Sequence, residues 1–141
     1  MVKYAELFIF APMIEAGIKG KEELVVSEEM LASACGSGTV PVFATPMMVA
    51  LMEKTCMTSI IPFLEEGQAS VGTRLEISHE SATPLGMKVT CTSELVEVDR
   101  RRLVFRVQAS DECGLIGQGV HERFVIDAGK FTAKCNSKKQ D

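Results

Sequence analysis

The apolar residues between positions 45 and 61 recur at the spacing of an α-helix. Thr45-Pro46 is typical of a helix start, with threonine as the N-cap and proline at the first helical position. Positions three and four apart beyond that start are apolar or small: Met48, Leu51, Met52, Thr55 and Ser59. Because Val49, Cys56 and Ile60 make much of the remaining circumference apolar, the pattern predicts a buried helix over about 46–61.

Much of the remaining chain alternates between apolar and polar residues, which is typical of strands. We predict a first strand near 21–28 and, after Pro62 and Gly67 end the helical stretch, further strands joined by short turns. The later strands span about 69–81, 87–98, 103–110 and 116–126, and residues 130–135 are a candidate for a short last one. The Gly- and Pro-containing residues 33–41 predict a mobile loop.

Alternation with a period of two also assigns residues to the faces of these strands. In the strand over 69–81 the residues expected to share a face are Val71, Thr73, Leu75, Ile77 and His79. The next two strands have clearer apolar faces, formed by Met87, Val89, Cys91, Ser93 and Leu95 and by Leu103, Phe105, Val107 and Ala109. His79 therefore lies on an otherwise apolar face, and we expect its side chain to point toward the helix.

The predicted order is one strand, one buried helix and then four or five antiparallel strands. A single apolar helix and a long meander can bury their apolar faces only against each other, so the sheet should wrap the helix. This layout is that of the hot-dog fold, an α+β architecture with about five or six strands. Because such sheets often pair edge to edge, which covers an exposed edge strand, we expect a homodimer.

Length, charge and cysteine content narrow the class of protein. The 141 residues fit a single domain over 1–141, with residues 1–15 as an N-terminal extension. A net charge of −4 and a pI of about 5.3 argue against nucleic-acid binding. The five cysteines form no CxxC pair, so we expect no zinc site, no disulfide framework and mostly buried free thiols in a reducing compartment. The apolar run 7–14 is too short to span a bilayer, and we therefore predict a cytoplasmic protein without membrane contacts.

Three polar residues on or near the predicted helix are candidates for acid–base or nucleophilic chemistry. Glu53 has apolar neighbours three and four positions away, so it should lie on a buried face and need a histidine or hydroxyl partner. Thr45 caps the helix where free N–H groups favour developing negative charge, and the cap alone would also explain it. Eight helical positions, or about 12 Å, separate the two. They would therefore meet through a third group such as His79, or across a dimer interface.

Two further residues carry an open choice between chemistry and plain structure. Gly72 interrupts a strand, which indicates either a close backbone approach, as an oxyanion donor would need, or a simple β-bulge. Arg123, on a late strand, could pair with a phosphate or form a surface salt bridge.

Together with their order, these residues resemble the fluoroacetyl-CoA thioesterase family of hot-dog proteins. The stretches that carry the resemblance are Val42-Phe43-Ala44-Thr45, Met48-Val49, Leu51-Met52-Glu53, Ser70-Val71-Gly72-Thr73, His79 with Ala82-Thr83-Pro84 and Gly86, Arg101-Arg102-Leu103, Ile116-Gly117, Gly119-Val120-His121-Glu122-Arg123 and Lys130-Phe131. The similarity spans about residues 20–135 in register, which makes it specific.

The resemblance implies a homodimeric acyl-CoA thioesterase with sites near the subunit interface, no metal and no cofactor beyond the coenzyme A of the substrate. Thr45, Glu53 and His79 match the family's catalytic residues. Gly72 matches a glycine whose N–H contributes to substrate or oxyanion binding, and Arg123 matches a residue on the CoA side of the site. We expect His79 to be the acid/base, Thr45 a nucleophile or polariser, and Glu53 an orienter or covalent participant. The reaction would pass through an acyl-enzyme or an activated water.

One departure from the family bears on the substrate. The fluoroacetyl-specific enzyme has a phenylalanine lid in the loop before its catalytic threonine, whereas residues 38–41 here read Gly-Thr-Val-Pro and the first aromatic is Phe43. We therefore predict a short-chain acyl-CoA substrate without fluoroacetyl specificity. The alternative is a non-catalytic acyl-CoA binding module, which would not need Thr45, Glu53 and His79 together. A hot-dog hydratase is disfavoured because its Asp-x-Asn-Pro-x-His pattern is missing from the sequence.

Overall fold

Five antiparallel strands form one sheet in a computed structural model that describes residues 13–139. The strands are β1 (Lys19–Val25), β2 (Gln68–His79), β3 (Lys88–Asp99), β4 (Arg102–Asp111) and β5 (Gly114–Asp127), and their spatial order is β1-β3-β4-β5-β2. The helices are α1 (Ala32–Cys35), α2 (Thr45–Ile60) and α3 (Ala128–Asn136), with 3₁₀ turns at Glu28–Met30 and Ile61–Phe63. The predicted α+β layout is confirmed. Most of the expected N-terminal extension, residues 1–12, lies outside the described residues.

Helix α2 lies against the sheet through a row of side chains spaced four apart. Met48, Met52, Cys56 and Ile60 are each 0 % exposed. They meet the inward faces of β3 and β4, where Val89, Cys91, Leu95, Leu103, Phe105, Val107 and Ala109 are buried. The predicted apolar faces of these two strands are thus confirmed, and the row of four on the helix provides the i, i+4 ridge that packs on them.

Three local predictions were wrong. Residues 130–135 belong to helix α3, because the Asp127 side chain accepts a hydrogen bond from the Lys130 N–H and caps a helix there. The stretch 33–41 is not all loop, since α1 occupies its start and ends at Gly36, whose φ is 82°. Of the five free cysteines only Cys56 and Cys91 are buried. Burial raises the pKa of the Cys56 thiol to about 12, so it is inert at neutral pH.

Strand β2 is an edge of the sheet and carries an irregularity. Its pairing with β5 runs from Gln68↔Asp127 to His79↔Gly117, with a register shift between Gly72 and Arg74. The unpaired residue, Thr73, inverts the alternation of the strand. As a result, Ser70 and Gly72 share the inner face with Leu75, Ile77 and His79, whereas the sequence had assigned Val71 and Thr73 to that face.

No helix within residues 13–139 is long and apolar enough to cross a membrane.

Candidate active site

Thr45 is the first residue of α2, where Pro46 follows it in the first turn. The sequence predicted Thr45 as the N-cap, but Ala44 holds that position and no side chain caps the helix. The Thr45 hydroxyl is instead hydrogen-bonded to His79, with 2.7 Å between Oγ1 and Nδ1. The partner comes from the end of β2, so the threonine side chain is turned away from the backbone donors that a cap would bind.

His79 has a buried ring nitrogen and a lowered pKa, which favours its neutral form. Burial lowers the pKa of His79, and the nearby backbone of Ser81 opposes that shift in part. Its Nε2 atom is buried and has no hydrogen-bond partner among the described residues. A neutral imidazole bonded to a hydroxyl is the arrangement that lets histidine withdraw a proton from it. The expectation that His79 points toward the helix is confirmed by the bond to Thr45.

The surroundings of this pair suit a reaction that develops negative charge. In the first turn of α2, Pro46 has no N–H and the N–H groups of Met47 and Met48 donate to the Ala44 carbonyl, so the positive potential there comes from the Thr45 N–H and the helix dipole. Thr45 lies in that turn, so an oxyanion beside its hydroxyl would face this potential. A cleft of about 250 Å³ opens at the pair, lined in part by Ala32, Ser37, Val42, Phe43, Ser81 and Ala82.

Glu53 lies two turns further along α2 and has a different partner from the one expected. Its Oε2 is 3.9 Å from Nη1 of Arg123, and its side chain is 41 % exposed against 7 % for the arginine. The prediction that Glu53 is buried, and the histidine or hydroxyl partner predicted for it, were therefore both wrong within this chain. Among residues 13–139 no hydrogen bond joins Glu53 to Thr45 or His79.

Arg123 is buried and held on several sides, so the surface salt bridge considered for it was wrong. Its Nε donates to Ser70 Oγ at 2.8 Å, and its Nη2 donates to the Ser70 carbonyl at 2.9 Å. Its Nη1 lies 3.1 Å from Nε2 of His121. Burial lowers the pKa of Arg123, and the nearby Glu53 carboxylate opposes that shift. Most of its donors are thus directed at protein atoms.

Gly72 provides the space in which Glu53 approaches the sheet. A Cβ added to Gly72 would lie 2.8 Å from Glu53 Oε2 and 3.1 Å from His121 Cε1. The glycine adjoins the bulge and permits a close approach, and a role of its N–H toward an oxyanion stays a prediction. The approach is made by a carboxylate of the same chain.

Glu53, Arg123, Ser70 and His121 form one cluster of contacts. Ser70 and His121 are the two members that were not predicted as site residues from the sequence. In the sequence, His121 stood out only as part of the stretch from Gly119 to Arg123 that carries the family resemblance, yet it is 0 % exposed. A signal was present, since His121 and Arg123 are two apart and must share a face of β5. An apolar Phe124 between polar neighbours suggests that Phe124 faces the core and Arg123 the solvent. The structure shows the reverse, since Phe124 is 40 % exposed and Arg123 is 6 % exposed.

Residues 13–139 contain no group of three or more His, Cys, Asp or Glu side chains that could hold a metal ion.

Solved structures with this fold define the class of protein. A hot-dog-like protein from Thermanaerovibrio acidaminovorans superposes with a TM-score of 0.81 at 22 % identity, over 98 % of both chains. A thioesterase superfamily member from Thermus thermophilus gives a TM-score of 0.83 at 34 % identity, over 89 % of this chain and 93 % of that one. The chain is therefore a hot-dog protein of the thioesterase class.

The particular family follows from closer matches. The family model described as fluoroacetyl-CoA-specific thioesterase (FlK) matches residues 26–129, and the chain belongs to that family. A fluoroacetyl-CoA thioesterase from Streptantibioticus cattleyicolor is 50 % identical over 97 residues, which cover 69 % of this chain and 70 % of that protein. A solved structure of the fluoroacetyl-CoA thioesterase FlK gives a TM-score of 0.86 at 38 % identity, over 92 % of this chain and 100 % of that one.

Proposed function

We propose that this protein is an acyl-CoA thioesterase that hydrolyses a short-chain acyl-CoA to the free acid and CoA. The observation that carries the proposal is the 2.7 Å hydrogen bond between Thr45 Oγ1 and His79 Nδ1 at the start of α2. This bond joins the Thr45 hydroxyl to a neutral histidine base, and it lies at the N-terminal end of α2, where the helix dipole stabilises an oxyanion. Membership of the thioesterase family supports the same activity.

Two routes to hydrolysis fit this pair. In one, His79 takes the Thr45 proton while Oγ1 attacks the thioester carbonyl, the C–S bond breaks, and the imidazolium protonates the departing CoA thiolate. Water then hydrolyses the threonine ester with His79 as base. In the other, His79 activates the water directly and Thr45 polarises the carbonyl. Neither route needs a cofactor beyond the CoA of the substrate.

The substrate we propose is a short acyl group without strict fluoroacetyl selectivity. The cleft at Thr45 and His79, about 250 Å³, is smaller than the pockets of about 300–1,000 Å³ that hold drug-sized ligands. Phe43, the first aromatic residue of the preceding loop, is 1 % exposed and packs in the core. It therefore cannot act as a lid over the acyl group.

We further propose that the active unit is a cytoplasmic homodimer in which two copies of β2 pair. This edge strand has an inner face that stays open, since Leu75 is 44 % exposed. A two-fold antiparallel pairing of β2 places the His79 end of one strand beside the Gln68–Gly72 end of the other. Glu53 of one copy would then approach Thr45 and His79 of the other. The five free cysteines fit a reducing cytoplasm.

The activity is tested by thiol release from acetyl-, fluoroacetyl-, propionyl-, butyryl- and phenylacetyl-CoA, with His79→Ala and the exposed-site control Glu28→Ala alongside. Turnover that His79→Ala abolishes and Glu28→Ala leaves intact supports the thioesterase. If the wild type turns over none of them but still binds CoA esters, the proposal fails in favour of the binding module.

The shared site is tested by mixing inactive variants. Dimers reassembled from Thr45→Ala and Glu53→Gln chains carry one intact site when the site is built from both copies. Random mixing makes half of the dimers mixed, so about a quarter of wild-type activity should return. A mixture of Thr45→Ala and His79→Ala should stay inactive, because both defects then fall in the same half-site. An equal lack of recovery in both mixtures, or a monomer by sedimentation, would contradict the shared site.

A further inference from the structure

His121 is a buried titratable residue for which the mechanism above has no use. It lies on the inner face of β5, where its ring stacks against Phe105 of β4 with centroids 6.4 Å apart. Its Nδ1 is 2.9 Å from the carbonyl oxygen of Arg74, next to the bulge of β2. Its Nε2 is 3.1 Å from Nη1 of Arg123. Both ring nitrogens therefore have partners of fixed chemical character.

Those partners determine where the ring proton resides. A carbonyl oxygen can only accept, so Nδ1 must carry the proton that is donated to Arg74. An arginine nitrogen can only donate, so Nε2 must be bare to accept from Arg123. The hydrogen bonds thus define a neutral ring protonated at Nδ1. A second proton, on Nε2, would set N–H against N–H and place two cations in contact.

The same contacts connect His121 to Glu53. Ser70 holds the Nε and Nη2 donors of Arg123, and His121 holds Nη1, which is also the atom nearest to Glu53 Oε2. The charged groups around the ring are Arg123 and Glu122 of β5 and Glu53 of α2. The group of β2 that contacts the ring is the backbone carbonyl of Arg74, and the group of β4 is the uncharged ring of Phe105.

The geometry points to His121 as a positioning residue that, while neutral, orients Arg123 and thereby holds the Glu53 carboxylate beside Gly72. Protonation of Nε2 removes the acceptor from Nη1 and repels the guanidinium, so Glu53 loses its orientation. The inference rests on the proposed thioesterase function, and it assigns to His121 a role that is distinct from that of the proton-transferring His79.

Two substitutions separate the two bonds of the ring. His121→Asn places an amide donor near the Nδ1 position and gives Arg123 no acceptor. His121→Gln reaches the Nε2 position with a carbonyl that accepts from Arg123 and never titrates in the working pH range. We expect His121→Asn to lower kcat about ten- to a hundredfold with a smaller change in KM, since a hydrogen bond to a charged group is lost. His121→Gln should lower kcat about two- to fivefold.

The pH profile provides a readout that a merely structural role would not change. Each histidine that must be neutral adds one unit to the slope of log kcat against pH on the acid side. His121→Gln should therefore give an acid limb one unit less steep than that of the wild type. Two-bond proton–nitrogen NMR of the wild type without substrate should report the Nδ1-protonated ring.

The outcomes distinguish this inference from the proposed function. A wild type without thioesterase activity means that the proposed function fails. An active wild type whose acid limb matches that of His121→Gln, or a ring found protonated at Nε2 by NMR, overturns the positioning role alone. If His121→Asn does not fold by circular dichroism, the slope of the glutamine variant and the NMR of the wild type still decide the question.

Discussion

Two polar groups lie along the inner surface of the sheet and differ in how far their hydrogen bonds are satisfied. The pair of Thr45 and His79 borders a cleft and leaves Nε2 of the histidine without a partner among the described residues. The cluster of Glu53, Arg123, His121 and Ser70 directs nearly every donor at a protein acceptor. A group that must exchange protons with a substrate needs access to it, which the cleft gives Thr45 and His79, whereas a group that fixes orientation needs none. The contrast predicts that the first group reacts and the second positions.

The largest effect is expected at the reacting pair. Thr45→Ala removes the hydroxyl that His79 contacts and should lower kcat about a thousandfold, within the range for acid–base and nucleophilic groups. Thr45→Ser keeps the hydroxyl and should stay within about tenfold of the wild type. Steady-state thiol release measures both. Equal activity of the alanine and serine variants would show that the hydroxyl is not used.

A smaller effect is expected at Glu53, the most exposed member of the positioning cluster. Glu53→Gln keeps the shape of the side chain but removes its charge, and it should lower kcat about a hundredfold. The free energy of unfolding should fall as well, because Arg123, which is 7 % exposed, loses the carboxylate beside it. Glu28→Gln, at an exposed site, is the matched control and should be neutral. Near-normal turnover of Glu53→Gln would remove Glu53 from the chemistry.

The distance between strand β2 and the Glu53 carboxylate can be changed by adding one methyl group at Gly72. At Gly72 an added Cβ would lie 2.8 Å from Glu53 Oε2, so Gly72→Ala should displace the carboxylate and lower kcat about tenfold. At Gly129, in α3, the nearest atom would be 3.6 Å away, which is an ordinary contact. Gly129→Ala should therefore leave kcat unchanged. Parallel assays of the two alanine variants test this, and a fully active Gly72→Ala would contradict the close approach.

The smallest effect concerns stability rather than turnover. Burial lowers the pKa of both His79 and His121. The unfolded chain takes up protons near the ordinary histidine pKa of about 6.5, and the folded chain only at lower pH. The stability that the two neutral histidines contribute is therefore fully present above about pH 6.5. It is lost as the pH falls toward their lower pKa values in the folded protein. We expect Tm to drop by about 2–4 °C between pH 7.5 and 5.5, and by less in His121→Gln. A pH-independent Tm in a fluorimetric melt would contradict buried neutral rings.

Periodicity alone predicted the scaffold well. Helix α2 begins and ends within one residue of its predicted bounds, because a helical period and a Thr-Pro start coincide there. The faces of β3 and β4 followed from strict alternation of apolar residues. The strand expected at 130–135 proved to be a helix, since a single cap at Asp127 outweighed a short and weakly alternating pattern.

The candidate site was predictable in its residues but not in its pairings. Thr45 and His79 meet across 34 positions of sequence, so no local rule distinguishes a capping hydroxyl from one bonded to a distant ring. The contact between Glu53 and Arg123 could not be predicted from alternation. An inner face is expected to be apolar, but on β5 the polar His121 and Arg123 point inward and Phe124 points outward. Family resemblance supplied the residue set, and the structure supplied their partners.

The unpaired Thr73 also determines which kinds of genetic change the protein can tolerate. Removing Thr73 would restore simple alternation and leave Ser70 and Gly72 on the inner face, because Gly72 and Arg74 already pair with the adjacent residues Arg123 and Glu122, whereas a second inserted residue would disturb the register. Single-residue replacements at Thr73 leave the register untouched, since its side chain lies outside the cluster and donates only to the Glu122 carbonyl. Variation at position 73 should therefore be broad in composition and include loss of the residue, whereas a further insertion there should be more harmful than either.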